Sequence, residues 1–287
     1  METMIASLKE LHPDMVELKS KANQIRKKIL QMCISTGGHI VSSLSCVDIL
    51  VSLYYGHNLN FDPSTPAWEN RDRFILSKGH SETVLYAILA DLDFFPVSWL
   101  ENRYRCGDCF LGGHPDRVIP GVEITSGSLG HGLGIAAGIS LAAKMDNKNH
   151  LQFVLMGDTE CTEGSVWEAA MFAAKHELYN LVAIVDRNYI GSIDFTDNFT
   201  GLEPFRNKWK SFGWETIVCD GHDFNELDNA FHHARSKDTS TPLIIIAETV
   251  KGKGISFMEN DPTWHVRSLS REEDIKRATE ELERSPE

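Results

Sequence analysis

The chain has 287 residues, 42 % of them hydrophobic, which is enough for a sizeable core and fits either two average domains or one large one. Its 28 basic against 41 acidic residues give a net charge of −13, which argues against nucleic acid or an anionic membrane as partner, since both need a basic face. An anionic ligand must be held locally instead, by a metal ion, backbone amides or histidines. There is no uninterrupted apolar run long enough to span a membrane, and the opening METMIASLKELHPD lacks a basic stretch followed by an apolar one, so neither a span nor a secretory signal is expected. Six irregularly spaced cysteines suit a reducing compartment, so a cytoplasmic location is expected.

Along the chain, residues 15–33 carry apolar side chains at helical spacing with lysines between them and predict an amphipathic opening helix. A turn follows at Gly37 and Gly38, then a second helical stretch over 45–55, and residues 58–70, rich in Pro, Asn and Asp, read as loop. The middle of the chain alternates. Residues 151–156 (LQFVLM) form an apolar run of strand length ending in Gly157-Asp158, 165–178 read as helix, and 181–185 (LVAIV) form a second such run ending in Asp186-Arg187-Asn188. A third strand is expected over 215–219, a helix over 224–236 and a fourth strand over 243–249. Strands without polar alternation, separated by helices, predict a doubly wound α/β fold, a mostly parallel sheet with helices on both faces. No repeat or linker divides it, so residues 1–287 are expected to be one domain, with an arm at 1–14 and a charged tail at 270–287 read as a solvated, fraying helix.

In such a sheet ligands bind beyond the carboxyl ends of the strands, where Asp158 and Asn188 stand. Oxygen donors from adjacent strand ends suit a hard divalent cation such as Mg²⁺, which could bridge to phosphate. Asp and Asn also cap loops at strand ends, and these two residues alone leave both readings open.

The surrounding segment adds to this. Residues 157–188, GDTECTEGSVWEAAMFAAKHELYNLVAIVDRN, resemble the thiamine-diphosphate motif of transketolases, a Gly-Asp-Gly start closing in Asn with Glu-Gly-x-x-Trp-Glu-Ala-Ala between. RFILSKGH (73–80), GGHP (112–115), GVEITSGSLGHGL (121–133) and KGKGISFMEN (251–260) resemble further segments of that family, in its order. The chain stops where a full-length transketolase begins its pyrimidine-binding domain, so the resemblance implies the first subunit of a split enzyme. The partner would be a subunit carrying that domain, in a 2+2 heterotetramer, with sugar phosphates as substrates.

The resemblance also implies roles. Asp158, Asn188 and the Ile190 carbonyl would ligate Mg²⁺. The loop from Gly157 through Thr159 to Glu163 would receive the diphosphate. Gly127, Ser128 and Leu129 would line the aminopyrimidine, and His80 would reach the diphosphate or thiazolium side. His39, His114 and His265 would face the donor ketose and relay protons, work that suits the histidine pKa. The remaining histidines, including His232 and His233, read as solvated surface. Gly127 and Gly130, ahead of a helix, would let backbone approach a ligand, whereas the helix from Gly134 onward reads as tightly packed core. Cys106-x-x-Cys109 lacks two further ligands for zinc and reads as incidental.

Three segments depart from the family pattern. Thr159 replaces the third residue of Gly-Asp-Gly, IVSSLS follows His39 where relatives keep two glycines, and VRSLS follows His265. The last two fall on the donor side and point to an altered sugar or acceptor. Two alternatives stand beside the transketolase reading. One is the α-type subunit of a 2-oxo acid dehydrogenase or of a carrier-loading synthase. The other is a non-catalytic subunit keeping the fold, for which Thr159 speaks and intact Asp158 and Asn188 do not.

Overall fold

Continuous apolar strands need cover on both sides, and the structure, a computed structural model describing residues 14–103 and 111–284, supplies it. The opening helices are α1 (Met15–Thr36), α2 (Ile40–Leu44) and α3 (Val47–Tyr55), followed by β1 (Arg73–Leu76), α4 (Glu82–Asp91) and the single turn α5 (Ser98–Glu101). Then come α6 (Gly132–Met145), β2 (Gln152–Gly157), α7 (Gly164–Lys175), β3 (Leu181–Arg187), α8 (Thr196–Phe199) and α9 (Phe205–Ser211). The chain closes with β4 (Glu215–Asp220), α10 (Phe224–Ser236), β5 (Leu243–Glu248) and α11 (Glu272–Arg284). All strand pairs are parallel, in the order β1-β2-β3-β5-β4.

The strands divide their side chains between two cores. Phe153 and Leu155 of β2, with Leu243 and Ile245 of β5, point into the core under α1, α3, α4 and α10. Val154 and Met156, with Ile244 and Ile246, point into the one under α6, α7 and α9. The doubly wound parallel fold expected from the pattern is what the chain adopts. Among the described residues no helix is long and apolar enough to cross a membrane.

Differences from the sequence reading are local. β1 is only four residues long and lies at the sheet edge, too short for its pattern to announce it. The helix expected over 45–55 is α3, and a further short helix, α2, precedes it, starting right after His39. α6 packs on one side only, leaving Gly134, Ile135 and Gly138 exposed. Cys33, Cys46, Cys161 and Cys219 are buried and free, while Cys106 and Cys109 lie outside the described residues.

The charged tail is not merely solvated. α11 turns Ala278 and Leu282 into the core against α1, and Asn23 donates to the Leu282 carbonyl at 3.2 Å. One apolar stripe among many charges escapes a reading based on composition but suffices to dock a helix. Leu282→Ala should therefore cost about 2–4 kcal/mol in urea unfolding, as for a buried leucine. A helix that only frayed in solvent would leave the midpoint unmoved.

Candidate active site

The sheet sets the site. Gly157 at the end of β2 pairs in register with Asp186 of β3, and Arg187 with Glu248 of β5, so three loops leave side by side. They surround a cavity of about 210 Å³ lined by Asp158, Thr159, Asn188, Ile190, Lys251 and His265 among others, at the carboxyl ends of the strands as open parallel sheets dictate.

Asp158 caps the short turn Thr159–Thr162, and its carboxylate accepts from the amides of Thr159 at 2.6 Å and Tyr189 at 2.7 Å. The Arg187 guanidinium adds an ion pair at 3.1 Å. Tyr189 takes a left-handed backbone (φ 64°), an uncommon conformation for a side chain of this size. Beside it the Asn188 side chain accepts from the Ile190 amide at 3.2 Å, while the Ile190 carbonyl accepts from the Lys251 ammonium at 2.8 Å. Thr159 lines the cavity and donates its hydroxyl toward Asp158 at 3.2 Å.

The rings of His39, His80 and His265 form a triangle with centroids 5.4, 5.6 and 5.7 Å apart. His39 Nδ1 lies 2.9 Å from the His265 carbonyl, which can only accept, so Nδ1 carries a proton and donates it there. Leu129 and Gly157 also line the cavity. Four expected residues do not. His114 is exposed and packs on Gly127, whose φ of 146° and lack of room for a Cβ, 2.8 Å from the His114 ring, require glycine. Ser128 is exposed. Glu163 is exposed too, at the start of α7, where it packs beside Gly130.

Sequence reading passes over several groups that the structure brings to the same place. Lys78 and Lys251 extend into the cavity, each embedded in a glycine-containing segment (SKGH, KGKG) of an acidic chain, which is the signal that could have flagged them. Glu160 is buried and accepts from the amides of Gly130 at 2.9 Å and Gly157 at 3.0 Å, fixing the loop floor. Asp186 is fully buried and accepts from Lys78, from Ser45 at 2.6 Å, from Asn188 at 3.1 Å and from Thr249.

The transketolase thiamine-diphosphate-binding domain model matches residues 19–287. The chain belongs to the transketolase family. It is 39 % identical over 271 residues to the 6-deoxy-6-sulfo-D-fructose transketolase subunit SqwG of Clostridium sp. (strain MSTE9), covering 94 % of this chain and 97 % of that one. It is also 39 % identical to an apulose-4-phosphate transketolase subunit of Actinobacillus succinogenes, covering 93 % and 96 %. Against human transketolase the identity is 37 %, over 88 % of this chain but 40 % of the human one. Among solved structures, transketolase from Campylobacter jejuni superposes with a TM-score of 0.87 at 31 % identity, over 94 % of this chain and 43 % of that one. The chain is thus a transketolase subunit that spans about two fifths of a full-length transketolase.

The electrostatics of the cavity hold two of its imidazoles unprotonated. Burial, reinforced by Lys78 and the neighbouring rings, holds His80 well below the ordinary histidine value. Burial with Lys251 and His39 lowers His265 to about 3. Burial also lowers Lys251 to about 8, Lys78 adding repulsion. A histidine whose folded pKa lies below its unfolded value binds its proton more readily in the unfolded chain, so its contribution to stability is present above about 6.5 and lost as the pH falls toward 3. His265 should remain unprotonated at pH 5 by ¹⁵N NMR of labelled imidazoles. His265→Gln should flatten the fall of the urea midpoint across that window. A titration of His265 near 6.5 would contradict this picture of the site.

Proposed function

We propose that the chain is the cofactor-holding half of a two-subunit transketolase that moves a two-carbon ketol unit from a ketose or ketose phosphate to an aldehyde or aldose. The observation that carries this reading is the seam between β2 and β3, where Asp158, Asn188 and Ile190 gather beside His39, His80 and His265 in a chain of this family. Relatives matching nearly end to end are named as transketolase subunits, which argues against the 2-oxo acid dehydrogenase and carrier-loading alternatives. Those two relatives are named for different sugars at the same identity, so similarity does not select the donor.

The residues present fit thiamine diphosphate and a divalent cation. The Ser42 hydroxyl and His265 Nδ1 are buried at the cavity without a partner among the described residues, two polar atoms awaiting a ligand. One carboxylate, one amide oxygen and one carbonyl form a hard-donor set suited to Mg²⁺ completed by phosphate oxygens. No cluster of three His, Cys, Asp or Glu among the described residues offers an all-protein metal cage instead. In this reading Asp158, Asn188 and the Ile190 carbonyl would hold the metal. Lys251, whose partner is a neutral carbonyl, would supply local positive charge that the chain as a whole lacks, Lys78 being paired with Asp186.

When bound, the cofactor acts as the electron sink for cleavage of the ketol carbon–carbon bond. The protein's part is orientation. His80 and His265, unprotonated at physiological pH but held too weakly basic to take up a proton readily, would orient substrate hydroxyls as hydrogen-bond acceptors, with His39 beside them. His114 stands at the exposed rim against Gly127, with Ser128 and Leu129 following, where the aminopyrimidine would lie against the partner. The partner is a subunit carrying the pyrimidine-binding domain, and two copies of each would enclose two sites in a cytoplasmic 2+2 assembly. Exposed apolar groups at the rim, Ile193 at 75 %, Phe195 and Phe199, would be covered by it.

Purified alone, the chain should transfer no ketol unit, and activity should appear on co-expression with the pyrimidine-domain subunit, assayed with a panel of ketose donors and aldehyde acceptors. Full activity of the single chain would overturn the split reading.

In the complex with Mg²⁺, Asp158→Ala should abolish thiamine-diphosphate binding by calorimetry, and Asp158→Asn should weaken it less. Thr159→Gly should leave it unchanged or tighter. Wild-type affinity in Asp158→Ala would refute the site assignment.

A further inference from the structure

The sequence places His222 with the solvated histidines, but its side chain is only 13 % exposed and is bonded at both ring nitrogens. Nδ1 lies 2.7 Å from Asp48 Oδ2, and Nε2 lies 2.8 Å from the backbone nitrogen of Val250. A backbone N–H can only donate, so Nε2 must carry the lone pair and the ring proton must sit on Nδ1, where Asp48 accepts it. Asp48 is buried and held in turn by Arg26 at 2.6 Å, whose Nε also donates to the Lys253 carbonyl at 3.2 Å. Burial alone would raise the Asp48 pKa, but Arg26 and His222 outweigh it and hold it near 2, so the carboxylate is always there to fix the tautomer.

Residues 249–254, which this device grips, form a strap between β5 and the cavity. The amide of Gly252 donates to Val41 at 3.2 Å, and a Cβ at Gly252, where φ is 82°, would strike the Met258 carbonyl. The strap exists to deliver one side chain, Lys251, next to the gripped amide. Its ammonium is buried and lies near Lys78, a costly place for a cation that a free side chain would leave for water. The backbone must therefore be held from behind.

We infer that His222, oriented by Asp48 and Arg26, is a positioning residue that clamps the Val250 amide and so holds Lys251 in the cofactor cavity. The role of Lys251 toward the diphosphate rests on the function proposed above; the clamp itself does not. In Asp48–His222–Val250 the carboxylate selects the tautomer, the tautomer creates the acceptor, and the acceptor fixes the strap.

The test uses the full chain, first without cofactor, as wild type, His222→Leu and His222→Gln. Glutamine can present an oxygen to the Val250 amide where leucine cannot. Two readouts are taken: hydrogen exchange of the 249–254 amides, and the rate of Lys251 acetylation by acetic anhydride relative to the exposed Lys276. Loss of one hydrogen bond should speed both about tenfold in His222→Leu, with β5 and α10 amides still protected and His222→Gln close to wild type. Unchanged exchange and acetylation in His222→Leu would overturn the clamp. So would protection lost evenly across the sheet, or a glutamine variant no better than leucine, since each marks a merely structural residue. Thiamine-diphosphate binding with Mg²⁺ is then measured in the complex with the partner subunit. Failure of the wild type to bind would sink the proposed function and leave the clamp standing on its own readouts. Binding by His222→Leu at wild-type affinity, when Lys251→Gln has lost it, would sever the clamp from the cofactor.

Discussion

Everything around the cavity at the carboxyl ends of the strands hangs on one buried carboxylate. Asp186 is wholly out of solvent and sits in the middle of the sheet edge where β3 ends. A lone charge there would be prohibitive, and it is compensated by the Lys78 ammonium together with the hydroxyls of Ser45 and Thr249 and the amide of Asn188. Those four partners come from the segments after β1 and β5, from the α2–α3 junction and from the loop leaving β3. Burial works against ionisation of both charges, yet each is held ionised by the other, with the Asp186 pKa kept low and the Lys78 pKa kept high. The pair therefore acts as a rivet that no part of the site can slip past.

The same arrangement reconciles a strongly acidic chain with an anionic ligand. The net charge is spread over the surface, where solvent and salt screen it, whereas the charges that would matter to a phosphate in the cavity, as proposed, lie inside, within a few ångströms and poorly screened. Lys78 is tied up by Asp186, which leaves Lys251 as the cation whose partner, a neutral carbonyl, can be exchanged for something better. Asp158 is in the mirrored position: burial raises its pKa while Arg187 and two amides oppose the rise. Of the charged groups lining the cavity, Asp158 and Lys251 are thus the carboxylate and the ammonium not locked into the Lys78–Asp186 pair or the loop floor that Glu160 fixes.

How much of this was legible depended on whether a feature was periodic, short or distant. The sheet was visible because strands buried on both faces write unbroken apolar runs, as in residues 181–185, and because the intervening helices keep a helical stripe. Asp158 and Asn188 were visible because strand ends have a fixed place in such a sheet. β1 was not, being four residues at an edge. The docking of α11 was hidden by the charges around Ala278 and Leu282, and His222 was hidden because its partners lie 174 and 28 residues away. Glu163, which matched the motif as well as Asp158 did, stands exposed outside the cavity, because a shared motif carries helix-start residues along with ligand-facing ones.

One consequence follows from the scatter of the cavity walls along the chain. The lining runs from His39 to His265, and the fastenings between these segments are long-range, such as Ser45 to Asp186 over 141 residues and His39 to His265 over 226. No single hairpin or helix pair can preform any useful part of it, so the binding surface comes into being only when the whole sheet has closed, late in folding and at a rate set by topology. The converse holds at equilibrium. A ligand that recognises only the closed sheet has no fragment to stabilise, and its binding free energy is returned to the domain as a unit, raising the melting temperature of both cores together.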